Sequence, residues 1–216
     1  EVVTTEDGAL SLDFNHENVS GRENTPVWKV LFYSYSETTK TTTEIFSQII
    51  SGGTTATVTP QVGVPAGKYY VAVAAAGTVY DTTTYQIKVN HAAGACWEKE
   101  SNDTFSTANE AELEKTYSGS IHKSTDKDYY KVTLSADGAL KVNFSHPSVA
   151  GRESNYVWKV SLYRDSDRSN AVYTQSIYGG DVDTALPQMG LKAGVYYVCV
   201  ESAAISDTST YQISTS

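Results

Sequence analysis

Histidine, cysteine and methionine are scarce in this sequence, with four, two and one among 216 residues. The four histidines, His16, His91, His122 and His146, have no metal-ligand spacing among themselves, and a structural or loop role is expected for them. Cys96 and Cys199 set no framework by their number. They could form one disulfide in an exported protein, since Cys96 lies just before the second half of the chain, or stand as two thiols. Long apolar runs are missing too: none approaches the roughly 18 residues needed to span a bilayer. No signal peptide is in the sequence, so an exported protein would have had it removed. Basic residues are outnumbered, 16 against 25 acidic, for a net charge of −9. That balance repels the phosphates of nucleic acid rather than neutralising them. There is no Gly-x-Ser-x-Gly elbow, His-Glu-x-x-His helix or phosphate-cradling glycine loop, so no enzyme is expected.

What the sequence has is tyrosine, threonine, serine, valine and glycine, with 16 tyrosines and charged residues held to 19%. This is the composition of half-buried strands and turns. The chain also repeats itself. Residues 1–33 align without gaps on residues 131–163, with 16 identities. Asp7-Gly8-Ala9-Leu10 matches Asp137-Gly138-Ala139-Leu140, Gly21-Arg22-Glu23 matches Gly151-Arg152-Glu153, and Val27-Trp28-Lys29-Val30 matches Val157-Trp158-Lys159-Val160. Further on, Ala66-Gly67-Lys68-Tyr69-Tyr70 matches Ala193-Gly194-Val195-Tyr196-Tyr197, and Tyr85-Gln86-Ile87 matches Tyr211-Gln212-Ile213.

Leu140, Val142 and Phe144 alternate with Lys141 and Asn143, and Trp158, Val160 and Leu162 alternate with Lys159 and Ser161. A period of two is the mark of a strand with one face buried. Short strands between Gly, Asn, Asp and Ser turns predict an all-β chain of two tandem antiparallel β-sandwich modules, jelly-roll-like. The first module spans 1–90, a linker 91–105 and the second module 106–216. Trp28 and Trp158 are expected in the cores, and each Tyr-Tyr pair is expected to divide between core and outer face. Only Thr107 to Lys115 looks briefly helical. Asp165-Ser166-Asp167 and Asp181-Val182-Asp183 read as hairpin turns rather than paired catalytic carboxylates. The second copy has 33 residues, Glu98 to Tyr130, ahead of the point where the first begins. The first therefore lacks its opening strand, an unpaired edge that is a liability. Either the sequence begins inside a module or another segment fills that edge, and a trimmed start is the expectation.

Glu98-Lys99-Glu100-Ser101-Asn102-Asp103 places four acidic or amide side chains within six residues, and Ser118-Gly119-Ser120-Ile121 and Asp126-Lys127-Asp128-Tyr129-Tyr130 follow. Either acidic cluster alone reads as a solvated linker or an Asp-rich turn. Brought together, they would repel one another unless a cation sat between them. The whole pattern, with the late Ala-Gly-x-Tyr-Tyr-Val-x-Val, resembles the bacterial pre-peptidase C-terminal domains, which include the collagen-binding domains of clostridial collagenases. The resemblance runs nearly continuously from Glu98 to Ile213, and again over Glu1 to Val89 as a truncated copy. It implies a calcium-binding jelly roll appended to a secreted or surface protein. By the same resemblance the calcium ligands fall on Glu98, Glu100, Asn102, Asp103, Ser120, Asp126 and Asp128, with a carbonyl near Gly119. The first copy has no counterpart of either cluster, so no equivalent site is expected there.

A non-catalytic module needs a binding face, and Trp and Tyr suit both sugar rings and protein partners. Trp97, in the linker, is either a plug or a stacking platform. Tyr35, Tyr80, Tyr163 and Tyr178 lie in or near predicted loops and would extend such a surface. The Arg-Glu loops are expected to hold local ion pairs. The leading expectation is a monomeric, secreted or cell-surface bacterial protein that binds an extracellular polysaccharide. The alternatives are a collagen- or protein-binding accessory domain of a peptidase and a calcium-stiffened spacer.

Overall fold

The computed structural model describes every residue but Val79, and the chain forms two compact units, Glu1–Ala95 and Cys96–Ser216. The described residues form no helix, and both units are built from antiparallel sheets, apart from one short parallel pairing in unit 2. Residues 91–93 complete the last strand of the first unit and 96–105 belong to the second, so the stretch read as a linker is shared between them.

Unit 1 contains β1 (Val2–Thr4), β2 (Gly8–His16), β3 (Pro26–Ser36), β4 (Thr41–Ser51), β5 (Ala56–Val58), β6 (Val62–Val64), β7 (Gly67–Ala75) and β8 (Tyr85–Ala93). One sheet runs β1-β7-β3-β4, and in the other β2 pairs with β5, β6 and β8. The alternating side chains predicted from sequence face inward: Leu10, Leu12 and Phe14 from β2 pack with Trp28, Val30 and Phe32 from β3.

Unit 2 contains β9 (Asn109–Glu110), β10 (Thr116–Gly119), β11 (Lys127–Leu134), β12 (Gly138–Leu140), β13 (Val142–Ser145), β14 (Tyr156–Arg164), β15 (Asp167–Tyr178), β16 (Asp183–Ala185), β17 (Met189–Leu191), β18 (Gly194–Ser202) and β19 (Tyr211–Thr215). Its sheets run β15-β14-β18-β11-β9 and β10-β19-β13-β16, with a small β12-β17 ribbon. The core is again periodic: Leu140, Val142, Phe144, Trp158, Val160 and Leu162 are all at most 1% exposed. Tyr196 faces this core, while Tyr197 faces out with Tyr129 and Cys199, as the alternation of a strand requires.

Repeated residues make repeated contacts. His16 lies on Trp28 with ring centroids 4.2 Å apart, and His146 on Trp158 at 4.0 Å. Each histidine Nδ1 meets the carbonyl of the next residue, at 2.7 and 2.8 Å. Gly21 and Gly151 both turn at positive φ, 76° and 75°, a conformation other residues resist.

Two local expectations differ from the structure, and the open choice for the cysteines is decided. The 107–115 stretch is not a helix but a turn followed by β9, because Ala108 and Ala111 are drawn into two different clusters that a single helix face could not serve. Cys96 and Cys199 are free thiols: Cys96 packs on the inner core and Cys199 lies in the outer-face cluster, where burial pushes its thiol up to about 12. The arginines of the two Arg-Glu loops do not pair with their neighbours. Arg22 reaches Asp81 at 3.7 Å and Arg152 reaches Asp207 at 3.6 Å, while Glu23 and Glu153 accept the amides of Gly21 and Gly151.

Candidate metal centre

The stretch Cys96–Ser120 folds back on itself before entering the sheet. Trp97 forms an isolated parallel bridge with Ser118, the Glu98 amide donates to the Ser118 carbonyl at 2.9 Å, and the Ser118 amide donates to Cys96 at 2.8 Å. This places Glu98 under β10. The next turn is closed by Asn109, whose Oδ1 accepts the Lys99 amide at 2.7 Å while its Nδ2 donates to the Lys99 carbonyl. The Tyr129 amide then donates to the Asn102 carbonyl at 3.2 Å, bringing the acidic turn against the start of β11.

The result is a cluster of five carboxylates, four of them buried and Asp103 half-buried. Glu98, Asn102, Ser120 and Asp128 have no solvent exposure, Asp126 has 3%, and the Glu100 side chain has 2%. Carboxylate oxygens of Glu100, Asp103 and Asp126 lie within 4.8 Å of one another, as do ligand atoms of Glu98, Glu100 and His122. Main-chain donors orient the acids: the Ser120 amide to Glu98 Oε1 at 2.7 Å, the His122 amide to Asp126 Oδ2 at 2.6 Å, and the Lys127 amide to Asp103 Oδ1 at 3.3 Å. Tyr211 donates its hydroxyl to Asp128 Oδ2 at 2.5 Å and lies 3.4 Å from Glu98 Oε2. Gly119 is required here, since a Cβ would sit 2.5 Å from the Tyr211 hydroxyl and 2.6 Å from Glu98 Oε2.

The electrostatics follow from burial and repulsion. Burial, then neighbouring carboxylates, push Glu98 and Asp128 well above the usual carboxylate range, and Glu100 and Asp103 are raised chiefly by burial. Burial also acts on Asp126, but its hydrogen bond and attraction to His122 outweigh that and hold it low. Burial opposes charge on His122, yet Asp126 and Glu100, each 3.2 Å from Nδ1, raise the imidazole to about 10. One imidazolium does not offset five acids. The amide of Asn102 lies among these acids, its NH2 group placed to donate to Asp128 Oδ1 at 3.1 Å and to Glu100 Oε2 at 3.3 Å. The set is rich in hard oxygen, numerous enough for six to eight ligands, and irregular, which suits calcium better than the strict octahedron of magnesium.

All seven residues expected as ligands therefore belong to one region, with Ser120 contributing its amide to Glu98. Sequence reasoning missed three participants: His122, Tyr211 and Asn109. His122 has no histidine at ligand spacing, but its position four residues before Asp126 is a usable signal. Nothing local marks Tyr211.

Within each unit, the residues expected to bind a polymer lie apart. Tyr35 lies at the far end of β3 while Tyr80 follows β7, its carbonyl accepting from Arg22 at 2.6 Å. In unit 2, Tyr163 and Tyr178 flank opposite ends of β14: Tyr163 packs edge-on to Phe105, and Tyr178 stacks on Tyr156 at 4.1 Å. Trp97 is half-buried beside Ser118.

No protein-family profile and no curated protein sequence matches the chain. Among solved structures, the chain is similar to the Yersinia pseudotuberculosis-derived mitogen (14% identity, 47% of this chain and 83% of that one, TM-score 0.33). It is also similar to a periplasmic inhibitor of g-type lysozyme from Aeromonas hydrophila (15%, 50% and 96%, TM-score 0.36). A further similarity is to the pre-peptidase C-terminal domain of a collagenase from Bacillus anthracis, at 20% identity over 50% of this chain and 94% of that domain, with a TM-score of 0.40.

Proposed function

We propose that the chain is a non-catalytic, calcium-stabilised binding module of a secreted or cell-surface bacterial protein. The observation that carries the calcium reading is the convergence of buried Glu98, Glu100, Asp126 and Asp128 with half-buried Asp103, beside the buried Asn102. These six would hold the ion, and the ion would supply charge neutralisation and a fixed turn between Glu98 and Asp128, not chemistry. Isothermal titration of chelator-treated protein tests it: one or more calcium equivalents bound, with the affinity lost in Glu100→Gln/Asp126→Asn, are expected. Heat absent from the unsubstituted protein would refute the reading.

For the ligand, an extended protein strand is the reading favoured by unit 1. Tyr33 stands opposite Tyr70 on neighbouring strands, Tyr35 meets Tyr70 edge-on at 5.9 Å, and all three are half-exposed. A flat tyrosine face of this kind offers apolar area and hydroxyls to a fibrous chain. Polysaccharide is the second reading, favoured by a polar groove of about 290 Å³ in unit 2, lined by Asn143, Asp183, Gln212 and Ser214 among others. Depletion from solution onto insoluble collagen, cellulose, starch, xylan and mucin separates the two. Loss onto collagen, abolished by Tyr70→Ala, supports the first reading, and selective loss onto a glycan supports the second.

A further inference from the structure

Tyr156 opens β14 and Tyr178 closes β15, and the two residues face each other across the paired strands. Their rings stack with centroids 4.1 Å apart and planes 18° from parallel. The Tyr178 hydroxyl donates to the Tyr156 hydroxyl at 2.8 Å. Nearly parallel rings with adjoining hydroxyls set the carbons ortho to those hydroxyls side by side. Tyr156 is 41% exposed and Tyr178 half-exposed, so a reagent in solution reaches both rings. The register shifts before the next partners, Trp158 and Ile177, which leaves the pair at an irregular end of the ladder. β15 is an edge strand of its sheet.

Two other tyrosine pairs each lack one part of this geometry. The Tyr130 and Tyr211 hydroxyls are 2.9 Å apart, but both side chains are sealed in the core. Tyr35 and Tyr70 are half-exposed but meet edge-on, with centroids 5.9 Å apart. In unit 1, Pro26 and Ser51 stand where Tyr156 and Tyr178 do. The repeated fold therefore does not require the stack.

We propose that Tyr156 and Tyr178 form an oxidative cross-linking site, coupled by hydrogen peroxide and a haem peroxidase into a dityrosine that braces the β14–β15 hairpin. Each phenol gives one electron and one proton to the oxidant, leaving two phenoxyl radicals in contact. Their unpaired electrons pair as a new carbon–carbon bond between the ortho positions. The hydrogens on those two carbons then move as protons to the phenolic oxygens, restoring both aromatic hydroxyls. Peroxide accepts the two electrons and two protons, and its oxygen–oxygen bond breaks to give two waters. Contact decides the partner: radicals held against each other couple within one chain before two chains meet. Cys96 and Cys199 are free thiols, so this bond is a covalent brace that the cysteines do not supply. Like a disulfide, it restricts the unfolded chain.

The test treats the full chain, in dilute solution, with hydrogen peroxide and a haem peroxidase, and reads dityrosine fluorescence and peptide masses. The expected product is a monomer in which a peptide holding Tyr156 is joined to one holding Tyr178, two hydrogens lighter than their sum. Amide exchange over residues 175–178 should slow in that product. Tyr178→Phe keeps the exposed ring but removes the phenol, and should lower the intrachain yield at least about tenfold, because coupling becomes an encounter between chains. Dityrosine confined to chain dimers, dityrosine mapped chiefly to the 73%-exposed Tyr80, or an unchanged yield in Tyr178→Phe would each overturn the proposal. So would the absence of dityrosine, or unchanged exchange over 175–178 in the cross-linked chain.

Discussion

Tyr85 and Tyr211 occupy the same place in the two copies, each stacked on a phenylalanine with ring centroids 5.2 Å apart. Yet Tyr85 is 43% exposed and Tyr211 is fully buried. The same contrast runs along β7 and β18, where Val71 and Val73 are half-buried but Val198 and Val200 are sealed. Identical local sequence thus builds the same strand and the same ring contact, but burial is set by what lies across the edge. In unit 2 the acidic segment Glu98–Tyr130 supplies that cover. The cover brings four carboxylates out of water and a fifth, Asp103, part of the way, which costs free energy unless a cation or protons balance them.

Four experiments would break or sharpen this contrast, beginning with the core the two units share. Trp158→Ala and Trp28→Ala should each cost about 3–5 kcal/mol, measured as loss of one calorimetric transition apiece. If both substitutions moved the same transition, the two units would not be independent folds. Calcium removal comes next. At a free concentration a hundredfold above its dissociation constant, the ion contributes about 2.7 kcal/mol, so chelator should lower the unit 2 transition and leave unit 1 in place. Equal shifts in both would refute a site confined to unit 2.

The tyrosine pair gives a smaller and sharper comparison. Tyr211→Phe removes a hydroxyl donated to Asp128 and should cost about 1.5–3 kcal/mol, whereas Tyr85→Phe should stay within about 0.5 kcal/mol. Chemical denaturation of the two variants checks it, and matching losses would show that burial of the ring, not the acid contact, governs the position. The smallest effect is expected at Lys127, which with Lys159 flanks Glu201 at 2.7 and 2.5 Å. Lys127 is largely solvated, so Lys127→Ala should cost no more than about 1 kcal/mol. A larger loss would mean that this cross-strand trio, absent from unit 1 where Ala74 faces Lys29, is part of what holds the cover down.

Much of the fold was legible from residue periodicity. Leu140, Val142 and Phe144 alternate with polar residues, and a two-residue period leaves a strand only one choice of buried face. The stretch misread as helical failed for a different reason. Thr107 to Lys115 has helical propensity, but Ala108 and Ala111 serve separate clusters, and tertiary packing overrides so weak a local preference.

The sequence by itself determined the repeat, the strand parity, the two core tryptophans and the pool of acidic side chains, because each rests on neighbours a few residues apart. Only the tertiary structure decided which acids share one buried space and which groups answer them. Tyr211 meets Glu98 across 113 residues, and Asp103 takes the Lys127 amide across 24. Such contacts carry no local pattern. They arise when a strand pairing closes a long loop and brings distant side chains into a volume too small for water to keep them apart.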